Sequence, residues 1–214
     1  MQETTSKIYY PFNRSLALKV TYGHFATNHS HINYYIDMTM LKTRQLEAMA
    51  TATAMAREYM TTTIVDTIVC MDGCEVIGAY LAEQLSSAGI MSMNTHKTIY
   101  IISPEYNLSN QMIFRDNTQP MVKNKHVLLL LASATTGKTI ARALECITYY
   151  GGRIAGISAI FSAVDQINSI PVHSVFQAND LNQYETYEPH NCPLCKNGTP
   201  IEAMVNSFGY SRLN

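Results

Sequence analysis

A segment rich in glycine and threonine carries the clearest chemistry in the sequence. Residues 127–139 read VLLLLASATTGKT, an apolar run that turns into a short loop of small and hydroxylated residues. A helix is predicted to begin near Gly137, so its N-terminus lies at this loop. Backbone N–H groups in the loop and the positive end of the helix dipole both favour an anion. The segment therefore predicts a phosphate-binding site, whose residues are Ala134, Thr135, Thr136, Gly137, Lys138 and Thr139.

Two other interpretations of the same segment remain open. It is compatible with an ordinary buried strand followed by a helix with a threonine N-cap. Its last three residues also fit the end of a P-loop, whose pattern is GxxxxGK[ST]. Ala132 stands where the first glycine of that pattern belongs. The P-loop interpretation predicts a nucleotide-binding site at the same place in the chain.

Helices and short apolar strands alternate along most of the chain. The spacing of apolar residues predicts helices over 40–60, 75–88 and from 137 onward. Runs of apolar and β-branched residues predict strands over 63–71, 98–103, 127–131, 154–161 and 171–176. Apolar strands separated by helices are typical of an α/β protein with a mostly parallel sheet flanked by helices.

The remaining segments predict how the chain is divided. Residues 1–39 form an N-terminal extension that we expect to be irregular up to residue 36, and residues 181–214 form a C-terminal tail. The core is predicted over 40–180. Within it, residues 104–124 are long and polar. We expect this stretch to be a mobile excursion over a site, with a short strand near 112–114.

Several of these segments resemble type I phosphoribosyltransferases. The family signature has four apolar residues, two acidic residues, one apolar residue and then Thr-Thr/Ala-Gly-x-Thr, and residues 127–139 supply its strand and its loop. Residues 66–85 have the strand–turn–helix layout of the family's pyrophosphate site, and residues 170–176 resemble its closing strand. The residues that match the N-terminus of orotate phosphoribosyltransferase are Gly23, Phe25, Tyr35 and Asp37.

The resemblance implies a fold, a ligand and a reaction. It implies the type I phosphoribosyltransferase fold, with the loop described above holding the 5-phosphate of phosphoribosyl pyrophosphate (PRPP) or of a nucleotide. The reaction would transfer phosphoribose to a base such as orotate. It also implies a homodimer and a turn that meets pyrophosphate through Mg²⁺. The residues of that turn would be Met71, Asp72, Gly73 and Cys74.

The sequence departs from the family pattern at three places. Ala132 and Ser133 stand where the two acidic residues belong. Residues 104–124 carry few of the basic residues that close over pyrophosphate in the family, and Ser162 and Ala163 stand where orotate enzymes have an Asp-Arg pair. The lost acidic charge removes stabilisation of the transition state. These departures favour an alternative function, a non-catalytic member that senses a phosphorylated ligand or serves as a regulatory subunit.

A Cys-x-x-Cys pair near the C-terminus is a second candidate site. Cys192 and Cys195 can reach one zinc ion from a tight turn, and His190 is a candidate third ligand. A closed structural site needs four ligands, which a second subunit or His173 could complete. Free thiols are the alternative. The N-terminal histidines, which we interpret as surface or interface residues that could line a pocket, are His24, His29 and His31.

Composition narrows the function classes further. The net charge of −1 over 214 residues argues against a surface that binds nucleic acid. No apolar stretch reaches the roughly 20 residues that span a bilayer, so we expect no membrane association. The five cysteines show no disulfide-like spacing. Together with the absence of a secretory signal at the N-terminus, this favours a reducing compartment, and we expect a cytoplasmic protein.

Overall fold

The computed structural model describes residues 5–213 except 88, 90, 91, 96, 97, 110 and 207. Its helices are α1 (Thr39–Thr43), α2 (Gln45–Ala56), α3 (Glu75–Ser87), α4 (Lys138–Tyr149) and α5 (Pro193–Lys196). Its strands are β1 (Thr5–Tyr10), β2 (Asn13–Ala26), β3 (His31–Asp37), β4 (Thr67–Cys70), β5 (Tyr100–Ile102), β6 (Glu105–Tyr106), β7 (Met112–Ile113), β8 (His126–Ala134), β9 (Arg153–Ser162), β10 (Gln166–Ile167), β11 (Ile170–Gln177), β12 (Thr186–Tyr187), β13 (Ala203–Asn206) and β14 (Gly209–Arg212).

A mostly parallel sheet forms the centre of the fold. Its strand order is β10-β11-β9-β8-β4-β5, in which β10 is antiparallel and the other five strands are parallel. Leu128 and Leu130 of β8 pack with α2 and α3 on one face, whereas Leu129 and Leu131 pack with α4 on the other. Burial on both faces explains why β8 is an unbroken apolar run. The α/β prediction is confirmed.

A second sheet joins the two ends of the chain. Its order is β12-β3-β2-β13-β14, and β1 pairs with β2. The expectation that residues up to 36 are irregular is therefore wrong. The alternation of Leu16, Leu18 and Val20, all buried, was the signal for a strand with one face on the core. Two strands of the tail, β12 and β13, pair with β3 and β2. The extension and the tail consequently form one structural unit.

One further prediction needs correction. The single helix expected over 40–60 is two helices, because Arg44 between them has an extended backbone with ψ of 128°. The short strand expected near 112–114 is confirmed as β7, which pairs with β6 in an antiparallel hairpin, and a 3₁₀ turn follows over Gln119–Met121. Phe114 and Val122 within it are buried in the core. The end of the helix predicted over 75–88 falls on residue 88, outside the described residues.

A carboxylate connects the residue before β4 to the first residue of β8. The Asp66 carboxylate accepts hydrogen bonds of 2.8 Å from the backbone N–H and from ring Nδ1 of His126. Burial alone would raise the pKa of Asp66. The hydrogen bonds from His126 and the charges of His126 and Lys125 outweigh burial and lower this pKa below its usual value. The folded state is therefore stabilised by the ionised form of Asp66.

We expect Asp66→Asn to lower the free energy of unfolding at pH 7 by about 1–2 kcal/mol. Because the pKa of Asp66 is lower in the folded than in the unfolded chain, this stabilisation is complete above the unfolded pKa of about 4 and is lost as the pH falls through the folded pKa. Urea unfolding of both proteins at a series of pH values measures the difference. The exposed Asp165, changed to Asn, is the control. A difference that stays constant down to pH 3 or so would contradict this assignment.

Candidate functional site

A cavity of about 1020 Å³ lies where the two sheets meet. Numbered along the chain, the five parallel strands have the order 2-1-3-4-5, so the order reverses between β4 and β8. In α/β proteins ligands bind outside the carboxyl ends of the strands at this reversal. The segments that follow β4 and β8 both open into the cavity, and residues of β3 and β13 line it from the second sheet. Topology therefore brings the two predicted loops to one site.

The predicted phosphate loop lies at this cavity. All six of its residues, from Ala134 to Thr139, are among the lining residues. Gly137 has a left-handed backbone with φ of 74° and immediately precedes α4, with no side-chain cap on the helix. The first N–H groups of a helix have no intrahelical acceptor, so they are available to an anion. The exposed side chains of Lys138 and Arg142 add positive charge at the same end of the cavity.

The loop itself is short. Strand β8 extends through Ala134, which is paired with Ser162 of β9, so only residues 135–137 separate the strand from α4. In the P-loop pattern, by contrast, the loop would begin at Ala132. Ala132 is instead a fully buried strand residue. The P-loop interpretation is thus not supported by the local geometry.

The turn after β4 presents a carboxylate to the cavity. Asp72 and Gly73 both have left-handed backbones, with φ of 59° and 75°. Of the four turn residues, Asp72 lines the cavity, and Met71 and Cys74 are buried beneath it. The buried Lys42 donates a 2.7 Å hydrogen bond from Nζ to the backbone oxygen of Asp72. This bond holds the turn in place.

Asp72 also reaches the end of the neighbouring strand. Its Oδ2 accepts a hydrogen bond of 3.4 Å from the backbone N–H of Ala132. A carboxylate therefore lies beside Ala132 and Ser133, the two positions that lack acidic side chains. This contact cannot be predicted from local sequence, because Asp72 and Ala132 are 60 residues apart and meet only through the pairing of β4 with β8.

Tyrosines from the β6–β7 hairpin and from the second sheet line the cavity. Tyr106 on the β6–β7 hairpin lines the cavity together with Asp72, and burial and the charge of Asp72 raise its pKa. Burial, helped by the charges of Asp37 and Tyr210, raises the pKa of Tyr35 to about 12. Both phenols are protonated at neutral pH and can donate hydrogen bonds to a ligand.

The cysteines near the cavity are not activated nucleophiles. Burial raises the pKa of Cys74 well above its usual value, and the charge of Asp72 raises it further. Burial also raises the pKa of Cys146, which lines the cavity, to about 11. Because the thiolate is the reactive form, neither group is poised for covalent catalysis at neutral pH.

Arg115 is one of the two basic residues of the stretch 104–124, and it has an acidic partner. Its Nε lies 2.8 Å from Glu105 Oε2. Where orotate enzymes have an Asp-Arg pair, the buried Ser162 donates its hydroxyl to the backbone oxygen of Val164. Ser162 and Ala163 therefore supply no cation at this position.

The Cys-x-x-Cys pair lies beside two N-terminal histidines. The side chains of His24, His31, Cys192 and Cys195 have their ligand atoms within 4.8 Å of one another. His190 is exposed and is not one of the four. His173 lies elsewhere, with Nδ1 at 3.6 Å from the Glu58 carboxylate. The interpretation of His24 and His31 as surface residues is wrong, since both are buried, whereas His29 does line the cavity.

Within the part of the chain that the structure describes, no helix is long and apolar enough to cross a membrane.

Part of the sequence is similar to curated orotate phosphoribosyltransferases. The chain is 32% identical over 81 residues to the enzyme of Caldanaerobacter subterraneus subsp. tengcongensis, and this match covers 37% of this chain and 40% of that protein. It is 31% identical over 74 residues to the enzyme of Desulforamulus reducens, covering 35% of this chain and 38% of the relative. The matches thus span about two fifths of the length of these relatives. No family model matches the sequence.

Solved structures with a similar fold are phosphoribosyltransferases. Leishmania donovani UMP synthase superposes with a TM-score of 0.53 at 17% identity, over 75% of this chain and 34% of that one. Mycobacterium tuberculosis orotate phosphoribosyltransferase superposes with a TM-score of 0.51 at 14% identity, over 76% of this chain and 91% of that one. Adenine phosphoribosyltransferase from Thermoanaerobacter pseudethanolicus superposes with a TM-score of 0.51 at 12% identity, over 81% of this chain and 95% of that one. The chain has the type I phosphoribosyltransferase fold, and about a third of its sequence resembles orotate phosphoribosyltransferases.

Proposed function

We propose that this protein binds a phosphorylated ribose compound, PRPP or a nucleotide, in the cavity between its two sheets. The observation that carries the proposal is the position of residues 134–139. They line the cavity at the N-terminus of α4, where Gly137 adopts the left-handed backbone that a turn of this kind requires. The 5-phosphate would accept hydrogen bonds from backbone N–H groups there and would be attracted by Lys138 and Arg142.

The rest of the cavity suits the remainder of such a ligand. A volume of about 1020 Å³ is large enough for a nucleotide-sized molecule. The Asp72 carboxylate is an oxygen ligand of the type that Mg²⁺ prefers, so PRPP would bind with its pyrophosphate near the Asp72 turn and a magnesium ion between them. Tyr35 and Tyr106 are positioned to contact the base or ribose.

A second candidate function is transfer of phosphoribose from PRPP to a nitrogenous base. The specific observation in its favour is the Asp72 carboxylate at the N–H of Ala132. Cleavage of the bond between ribose and pyrophosphate develops positive charge on the ribose, which a nearby carboxylate stabilises. Orotate is not favoured as the base, because Ser162 and Ala163 offer no cation for its carboxylate. The non-catalytic alternative rests on the missing acidic side chains at Ala132 and Ser133.

Calorimetric titration tests the binding proposal. We expect ribose 5-phosphate, nucleoside monophosphates and PRPP with Mg²⁺ to bind, and ribose without phosphate to bind at least about tenfold more weakly. Equal affinity for ribose and ribose 5-phosphate, or no binding of any phosphorylated ribose, would refute it.

A separate assay distinguishes the two functions. The protein is mixed with PRPP, Mg²⁺ and a panel of purine and pyrimidine bases, and pyrophosphate release is followed. Base-dependent release supports phosphoribosyl transfer. Binding of PRPP without release for any base supports the ligand-sensing alternative.

A further inference from the structure

Four side chains from the two ends of the chain converge on one point. His24 Nε2 lies 3.2 Å from His31 Nδ1 and 3.5 Å from Cys192 Sγ. Cys195 Sγ lies 3.7 Å from His24 Nε2 and 3.3 Å from His31 Nδ1. All four atoms are within 4.8 Å of one another. His24 comes from β2, His31 from β3, and the two cysteines from the turn that forms α5 and the residue before it.

The distances between these ligand atoms are close to those expected for four ligands arranged in a tetrahedron around one zinc ion. With Zn–N near 2.0–2.1 Å and Zn–S near 2.3 Å, tetrahedral ligands are separated by about 3.3 Å for two nitrogens and about 3.6 Å for nitrogen and sulfur. The observed distances agree with both values to within a few tenths of an ångström. Two thiolates and two imidazoles in a tetrahedron are a donor set that selects zinc among the common divalent metals.

The surroundings of His24 favour the same assignment. Its Nδ1 lies 2.9 Å from the backbone oxygen of Thr199. A carbonyl can only accept, so Nδ1 carries the proton and Nε2 presents its lone pair to the other three ligands. Histidines that ligate a metal are commonly oriented by such a carbonyl. His24 is fully buried and Cys192 is 1% exposed, so these ligands are shielded from water, whereas Cys195 is exposed.

We propose that His24, His31, Cys192 and Cys195 bind one structural zinc ion that joins the C-terminal tail to the N-terminal sheet. The site has four protein ligands and no open position, as structural zinc sites do. The turn between its two histidines contains Thr27, Asn28 and His29, which line the cavity. The zinc ion therefore holds one wall of the ligand cavity without contacting the ligand. The proposal is independent of which ligand the cavity binds.

Metal content of the full chain, purified under reducing conditions with zinc in the growth medium, tests the proposal. We expect about one zinc per chain, falling below about a tenth of that in the Cys192→Ser, Cys195→Ser double variant and strongly reduced in His31→Ala. His190→Ala and Cys146→Ser are matched controls, because they remove a nearby exposed histidine and a cysteine outside the cluster. Both controls are expected to keep the zinc.

Cobalt replacement in the unmodified protein tests the geometry without relying on variants that could fail to fold. Co²⁺ should produce the intense visible bands of a tetrahedral site and a thiolate-to-cobalt band in the near ultraviolet, and zinc should displace both. A chelator should lower the thermal midpoint of the native protein, and added zinc should restore it. Metal-free protein of unchanged thermal midpoint would overturn the proposal, as would zinc retained by the double variant.

Discussion

Replacing Gly137 with valine is expected to weaken binding of ribose 5-phosphate by about 100-fold or more. Two effects of the structure combine here. A residue with a Cβ is strained by roughly 1–2 kcal/mol in the left-handed conformation, and Gly137 has φ of 74°. A Cβ at this position would also lie 2.3 Å from Cδ1 of Ile167. Valine is strained in this backbone conformation, and the tip of Ile167 would have to turn aside. Relief of the strain would shift the N–H groups of the loop away from the proposed phosphate position.

Gly89→Val is the matched control for this change. Gly89 also has a left-handed backbone, with φ of 65°, but a Cβ there meets no atom of the described residues within 4 Å. It therefore reports the backbone strain alone, away from the cavity. Calorimetry gives the affinities, and thermal unfolding checks that both variants are folded.

A second variant keeps this test decisive if Gly137→Val is poorly folded. Lys138 is exposed, so Lys138→Ala should fold normally and weaken phosphate binding by about tenfold through loss of one charged contact. Unchanged affinity in both Gly137→Val and Lys138→Ala would mean that the phosphate binds elsewhere.

Changing Asp72 to asparagine is expected to lower the affinity for PRPP when Mg²⁺ is present but not when Mg²⁺ is absent. With Mg²⁺, loss of the carboxylate removes a charged ligand or hydrogen-bond acceptor, and affinity should fall about 10- to 100-fold. Without Mg²⁺, the same change removes repulsion between the carboxylate and pyrophosphate, so affinity should stay equal or rise. If the protein transfers phosphoribose, pyrophosphate release should fall at least as strongly as affinity.

The control for Asp72 is Glu83→Gln. Glu83 is an exposed residue of α3, the helix that follows the turn, and it does not line the cavity. Glu83→Gln therefore removes one negative charge, as Asp72→Asn does, without changing a residue that lines the cavity. Calorimetry with PRPP in magnesium and in chelator gives the affinity of the unmodified protein and of both variants in each condition. An equal fall in affinity in both conditions would indicate a damaged turn rather than a lost magnesium contact.

Local sequence determined the central sheet and the loops at its edge. Strand β8 is buried on both faces, so its side chains form a continuous apolar run that is legible without any tertiary information. The phosphate loop follows directly from it, since strand, turn and helix are consecutive in the chain. In strand β2, the alternation of Leu16, Leu18 and Val20 likewise predicts a strand with one face on the core.

Other features depend on which distant segments meet. The sequence places no acidic residue at Ala132 or Ser133, and only the pairing of β4 with β8 brings the Asp72 carboxylate to Ala132. In the same way, the Cys-x-x-Cys pair is visible in the tail, but its histidine partners lie more than 160 residues earlier in the chain.

The sequence by itself therefore determined the α/β architecture, the loop of residues 134–139 before α4 and the two cysteines, because each depends on residues close together in the chain. Only the tertiary structure decided that the two ends of the chain share one sheet, and that His24 and His31, not His190, lie beside those cysteines. It also decided that a carboxylate faces the end of β8. Such contacts are set by strand pairing across long loops, and the local pattern of side chains does not encode which strands will pair.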